Sequence, residues 1–248
     1  MNNAFAYVLM GSAGSGRGEV LIDLLSALSP TDRVVVCVSE EESDKAGVAF
    51  GTNPDSFILA SWRGEGGEIS AEVPEGTTHF FFVADGRRNP VDQMEAFYHW
   101  SQEHDLELAR IITVVHCGLA HDNPDLKKWY DACIHFSDYV LLNRREGISE
   151  KWIKAFQDRY RKAFYPCIFE IVKKGRVKNP TLVLDPLPRR MSQLFDDNVD
   201  LEIDLGEEDV ADQEEKIDPY LDRLPSGKRA RDIPDIAPYL SREEAKER

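Results

Sequence analysis

Continuous apolar runs alternate with helix-like segments through residues 1–180, and this alternation limits the folds available to the chain. Phe5–Met10, Arg33–Ser39 and His79–Ala84 are rich in β-branched and aromatic residues, as is typical of strands buried on both faces. Glu19–Leu28 carries its apolar residues at helical spacing. The other predicted strands are Phe57–Trp62, Ala109–Cys117, Asp138–Leu142 and Ile168–Val172, and the other predicted helices are Pro90–His104, Leu126–Phe136 and Ser149–Phe164. We therefore predict a three-layer α/β fold: a mainly parallel sheet with helices on both faces.

The negative charge of the chain is concentrated near its end. The formal net charge is −15, of which −10 falls on residues 196–248. Residues 196–215 hold eleven acidic residues and no basic one, a composition typical of disordered segments. We therefore predict one α/β domain over 1–180, a Pro-rich linker over 181–195 and an acidic, largely disordered tail over 196–248. Deletion of such a tail is expected to leave thermal stability nearly unchanged.

The tail contains an approximate repeat. Ile217–Arg223 and Ile236–Arg242 each place Pro-Tyr-Leu after an isoleucine. One interpretation is a short peptide that docks on a surface and recruits a protein partner. The other is chance similarity.

Composition excludes several classes of partner. An acidic chain repels nucleic acid and anionic membranes, and no apolar run approaches the roughly 20 residues needed to cross a bilayer. The four cysteines are widely spaced, which argues against a metal site and favours buried thiols in a reducing cytoplasm. They are Cys37, Cys117, Cys133 and Cys167. We expect a cytoplasmic protein without a bound metal.

A glycine-rich turn follows the first strand and precedes the first helix. Its sequence, Gly-Ser-Ala-Gly-Ser-Gly-Arg-Gly over 11–18, fits the frame of a P-loop, whose amides bind phosphate. Arg17 stands in the lysine position, and Gly18 stands where a Ser or Thr hydroxyl would bind Mg²⁺. Binding of Mg²⁺ is therefore expected to be poor, and hydrolysis slow. The residues expected at the phosphates are Gly11, Gly14, Ser15, Gly16, Arg17 and Gly18.

Several segments in order resemble the CobW/HypB/UreG family of P-loop GTPases, which serve metal-centre assembly; the match is best to the CobW-type N-terminal domain. Besides the glycine turn, the family frame of strand, acid, Gly and Pro matches Phe80–Pro90. Within it the family's glutamate falls on Val83, and Asp85 is the nearest acid that could face a cation. The family's cysteine-rich metal motif has no counterpart in residues 45–76.

The guanine-reading motif of the family, Asn-Lys-x-Asp, resembles the stretch from Asn143 to Glu146. The resemblance implies that Asn143 and Glu146 read the base, with Arg144 in place of the lysine. His116 stands where the family strand ends in an aspartate, and a hydrogen-bonded strand-end residue is a better interpretation than a catalytic base.

Two functional hypotheses follow, and a third concerns the fold. The first is a GTPase-like protein that binds GTP or another nucleotide and is at most a slow NTP hydrolase. The second is a non-catalytic pseudo-GTPase scaffold that recruits a partner through its acidic tail. The third is an unrelated doubly wound domain with another ligand.

Overall fold

The computed structural model describes residues 4–43, 56–65, 67–196 and 218–246. The predicted acidic stretch therefore falls largely outside the described residues, as does Ile217 of the tail repeat. Among the described residues, no helix combines the length and the apolar character that a membrane span requires.

A single eight-stranded sheet forms the centre of the protein. Its strands are β1 (Ala4–Met10), β2 (Val34–Ser39), β3 (Ile58–Glu65), β4 (Glu68–Ser70), β5 (His79–Val83), β6 (Leu106–His116), β7 (Tyr139–Asn143) and β8 (Ile168–Ile171). They lie in the order β4-β3-β2-β5-β1-β6-β7-β8. Every neighbouring pair is parallel except the antiparallel pair of β3 and β4. The predicted mainly parallel sheet is confirmed.

Helices cover both faces of this sheet. They are α1 (Arg17–Leu25), α2 (Pro90–Gln102), α3 (Cys117–Asp122), α4 (Lys127–Phe136), α5 (Glu150–Lys162), α6 (Pro180–Leu184) and α7 (Ala237–Lys246). Apolar residues of α1 and α6 pack on one face of the sheet, and those of α2 to α5 pack on the other. Side chains at alternate positions of β1 and β5 belong to opposite layers, because successive strand residues point to opposite faces. The predicted three-layer arrangement is therefore confirmed.

The predicted element boundaries are largely close to the observed ones. The helix predicted over Glu19–Leu28 starts at Arg17 and ends at Leu25, because the turn residue Gly16 is its N-cap. The strand predicted from Ala109 begins at Leu106. That extension follows Asp105, whose left-handed backbone (φ 50°) turns the chain out of α2 and into β6.

The predicted linker packs on the body of the protein. Val183 and Leu184 of the short helix α6 are buried beside α1. The Tyr7 hydroxyl donates to the Leu184 carbonyl at 3.0 Å. Further along, Arg190 is almost fully buried and pairs with the buried Asp138. These residues of the predicted linker therefore pack against the body of the protein.

The described part of the tail, 218–246, also packs on the body. Tyr220, Ile236 and Leu240 are each at most 5% exposed and belong to the core layer of α2 to α5. Both copies of the Pro-Tyr-Leu repeat thus supply buried side chains. In this described segment the apolar residues find partners on the helices.

Ion pairs accompany this apolar contact. Arg229 lies 2.7 Å from carboxylate oxygens of both Asp92 and Glu95 on α2. Asp218 accepts a hydrogen bond from His135 Nε2 of α4, at 2.8 Å. The tail segment is therefore joined to α2 by ion pairs and to α4 by a hydrogen bond.

Candidate functional site

The glycine turn, Asp85 and Asn143 lie at one edge of the sheet. They follow β1, β5 and β7, and because these strands are parallel their carboxyl ends meet at the same edge. The turn is in contact with both other segments. A Cβ on Gly86 would lie 2.2 Å from the Ala13 nitrogen, and a Cβ on Gly16 would lie 2.4 Å from Nδ2 of Asn143. The structure thus brings together the three segments that the sequence singles out.

Positive φ angles shape the turn. Gly11, Gly14 and Gly16 have φ of 136°, 78° and 86°, a backbone region that side chains disfavour and glycine adopts freely. Gly16 is the N-cap of α1 and provides no side-chain cap. The first amides of the helix are therefore left without a side-chain acceptor, as at anion-binding helix N-termini.

Two amides of the turn are already used within the protein. The Ala13 amide donates to the Gly86 carbonyl at 3.1 Å, and the Ser15 amide donates to the Ser12 carbonyl at 3.1 Å. The amides of Gly14 and Gly16 donate to no residue in the described part of the chain. The turn therefore offers some, but not all, of the donors of a phosphate-binding loop.

Arg17 has partners within the protein. Its side chain is 9% exposed and donates to the Ala84 carbonyl. Its Nη2 lies 3.0 and 2.9 Å from the two carboxylate oxygens of Glu42. One guanidinium nitrogen thus contacts both oxygens of a nearly buried carboxylate, while Nη1 is used by the Ala84 carbonyl.

Glu42 belongs to a chain of charges between β2 and β5. Besides Arg17, Glu42 accepts from Arg87 Nη1 at 3.5 Å. Glu41 pairs with Arg88, whose hydrogen bond lowers the pKa of that carboxyl. The acids come from the end of β2 and the arginines 87 and 88 from the segment after β5, so adjacent parallel strands present opposite charges.

Asp85 is buried within the same network. Its side chain is fully shielded, and Arg88 Nε lies 3.3 Å from Oδ2 without the alignment of a hydrogen bond. Burial raises the pKa of Asp85, and the charges of Glu42 and Glu41 raise it further, against the amide hydrogen bond from Arg87. The cation that Asp85 faces among the described residues is a guanidinium.

Asn143 is positioned on the turn itself. It is 7% exposed, and its Nδ2 donates to the Ser15 carbonyl at 2.8 Å. Arg144, with a left-handed backbone (φ 48°), donates from Nε to the Gly14 carbonyl at 3.3 Å and pairs with Glu19 at 2.9 Å. Glu146 is exposed on the loop beyond. Base reading by Asn143 and Glu146 stays a prediction.

His116 caps the short helix α3. Its Nδ1 accepts the Leu119 amide at 3.0 Å, which satisfies one of the unpaired donors at the helix start. The interpretation of His116 as a hydrogen-bonded strand-end residue is confirmed.

Near the loop, two buried side-chain oxygens of the described residues lack a hydrogen-bond partner, Ser15 Oγ and Asp85 Oδ2. Gly18 supplies no hydroxyl, and the Ser12 hydroxyl lies 3.2 Å from the Tyr130 hydroxyl. The acids that approach the loop, Glu42 and Asp85, are both beside arginines. No group of three or more His, Cys, Asp or Glu residues suited to a metal occurs among the described residues.

Sequence reasoning did not assign roles to Glu42, Arg87 and Gly86. A signal existed: three consecutive glutamates follow β2 and two arginines follow β5. Knowledge of the strand order was required to use it, because only adjacent strands bring these groups together.

Comparison with solved structures finds chains of similar fold. A zinc-bound triple mutant of the YjiA GTPase matches with 14% identity and a TM-score of 0.50, over 76% of this chain and 67% of that chain. The zinc-bound YjiA GTPase from E. coli matches with 15% identity and a TM-score of 0.49, with the same coverage. No protein-family model matches the sequence, and no curated protein does. At this identity the likeness shows the fold alone.

Proposed function

We propose that this protein binds a nucleotide at the glycine turn and hydrolyses it slowly or not at all. In this proposal it is a CobW-type GTPase-like protein with altered site residues. The turn, with Arg17, would bind the phosphates, and the 143–146 segment would lie at the base.

One observation supports the proposed nucleotide binding. The amides of Gly14 and Gly16 point to no described acceptor, while the turn opens at the start of α1 without a side-chain cap. Asn143 fixes the turn from the other side through the Ser15 carbonyl. A preorganised turn at a helix start lowers the cost of ordering donors around a phosphate.

The expectation of slow or absent hydrolysis rests on the residues around the glycine turn. Phosphoryl transfer depends on a metal ion and on a residue that orients the attacking water. Gly18 provides no metal-binding oxygen, and Val83 occupies the place of the family's glutamate and is buried. We expect a rate at or below about 10⁻⁴ s⁻¹, the range of a small GTPase without its activator.

Isothermal titration with GTP, GDP and ATP, with and without Mg²⁺, tests the proposal. We expect a Kd on the order of micromolar, little affected by Mg²⁺, and at least about tenfold weaker binding for Arg17→Ala, a loss of about 1.4 kcal/mol. Arg63→Ala is the matched control, because Arg63 makes an exposed ion pair with Glu40 at the same edge of the sheet. Absence of binding at millimolar nucleotide by the folded protein would refute the proposal.

A second candidate function is a pseudo-GTPase scaffold without a nucleotide. The pairing of Arg17 with Glu42 and Ala84 favours it, because the cation that should meet the phosphates already has partners. In this alternative a protein partner would bind the acidic tail in the cytoplasm. The same titration separates the two, since a scaffold shows no nucleotide binding while retaining its melting transition.

A further inference from the structure

Two guanidinium groups converge on one carboxylate beside the glycine turn. Arg17 contacts both oxygens of Glu42, and Arg87 Nη1 lies 3.5 Å from Oε1 of the same residue. The Glu42 side chain is 13% exposed and the Arg17 side chain 9%. A planar oxyanion thus fills a mostly enclosed space bounded by two cations.

The position of this anion matters because it adjoins the turn. Arg17 is the first residue of α1, and its Nη2 would lie 2.6 Å from a Cβ on Gly86, the residue that accepts from the Ala13 amide. A phosphoryl group on the turn would meet Arg17 through the same donors that now meet Glu42. Both oxyanions cannot use those donors at once, and their like charges repel at close range.

The neighbouring glutamates do not share this role. Glu41 pairs with Arg88, and Glu40 pairs with the exposed Arg63. Within the run 40–42, Glu42 is therefore the residue that reaches Arg17 and the turn. Removing the charge of Glu40 is therefore a matched control for removing the charge of Glu42.

We propose that Arg17 and Arg87 form an oxyanion site for a phosphoryl group and that Glu42 occupies it as an internal competitor. This inference rests on the proposed function, and it specifies what holds the phosphate and what opposes it. Guanidinium pairs suit phosphate because their donors match its oxygens. Neutralising Glu42 should therefore weaken its hold on the donors of Arg17 and Arg87 that now meet it, and strengthen binding of phosphoryl ligands.

The test is isothermal titration of Glu42→Gln with pyrophosphate in the absence of metal, and with GDP in parallel. Glutamine keeps the size of the side chain and removes its charge. We expect Glu42→Gln to bind pyrophosphate at least about tenfold more tightly than the unaltered chain, and Glu40→Gln to bind like the unaltered chain. The double variant with Glu42→Gln and Arg87→Gln should lose most of this gain in pyrophosphate affinity.

The outcomes separate the two proposals. Equal, measurable affinity of Glu42→Gln and the unaltered chain overturns the competitor role and leaves nucleotide binding intact. Tighter pyrophosphate binding without any GDP binding supports the oxyanion site and overturns the nucleotide function. No binding of either ligand by any folded variant overturns both. Should Glu42→Gln not fold, Glu42→Asp, whose shorter side chain withdraws the carboxylate, is judged by the same comparison.

Discussion

Replacement of Tyr220 by alanine should destabilise the whole protein, although this residue lies in a segment whose composition predicts disorder. Tyr220 is 5% exposed, and its ring lies 4.6 Å from that of His135 and 6.2 Å from that of Phe136, measured between centroids. The Arg231 guanidinium lies 4.6 Å from the ring centroid. The side chain is thus enclosed between α4 and the tail itself.

The expected loss in free energy of unfolding follows from the burial of this side chain. Truncation of a buried aromatic residue to alanine costs about 3–5 kcal/mol in a core. The tail segment lies at the margin of the core and can undock separately, so the loss cannot exceed its docking free energy. We expect about 2–4 kcal/mol, which for a chain of this size lowers Tm by roughly 5–15 °C.

Urea denaturation followed by tryptophan fluorescence and circular dichroism measures the change. Tyr220→Phe keeps the ring and should cost less than about 1 kcal/mol. Phe164→Ala should be nearly neutral, because Phe164 is 88% exposed. A free energy of unfolding for Tyr220→Ala within about 0.5 kcal/mol of the unaltered chain would refute the reasoning and show that the tail does not dock.

Three further predictions concern the turn, the tail and the thiols. Gly86→Ala places a Cβ 2.2 Å from the Ala13 nitrogen and should cost about 1–3 kcal/mol in urea denaturation, whereas Gly118→Ala, with 3.3 Å to its nearest neighbour, should cost little. Burial tends to raise the pKa of Asp218, but hydrogen bonds from its neighbours lower it below its ordinary 3.8. A carboxylate whose pKa is lowered by folding stabilises the folded state at pH values above its unfolded pKa, and this stabilisation is lost as the pH falls through the lower, folded pKa. The difference in free energy of unfolding between the unaltered chain and Asp218→Asn should therefore reach its full size near pH 6 and vanish as the pH falls below 3.8. All four thiols should resist Ellman's reagent until the protein unfolds, because burial raises their pKa values, to about 12 for three of them: Cys37, Cys117 and Cys167; rapid reaction of the folded chain would contradict this.

Local pattern was sufficient to predict the sheet, because its strands are buried on both faces and read as apolar runs. It was also sufficient to place the turn, Asp85 and Asn143 near one another, since all three follow parallel strands. Local pattern could not predict the Arg17–Glu42 pair. This pair joins α1 to the residues that follow β2, and the order of the strands in the sheet cannot be derived from local pattern. The packing of segment 218–246 could not be predicted for a related reason. Its few apolar residues that pack on the helices, such as Ile236, lie in a strongly acidic stretch of sequence.

The glycines of the turn can be explained without any ligand, and this separates fold from function. A Cβ on Gly11 would lie 2.3 Å from the Val114 carbonyl oxygen, and one on Gly16 would meet Asn143. Packing alone therefore requires both glycines of the P-loop frame. Gly14 differs, because no atom lies within 4 Å of its Cβ position, so Gly14→Ala should cost only the strain of its left-handed backbone, about 1 kcal/mol. If the turn binds phosphate, this methyl group would project beside free amides and weaken pyrophosphate binding well beyond that stability change. Equal pyrophosphate affinity of Gly14→Ala and the unaltered chain would mean that the glycine turn serves the fold and not a phosphate.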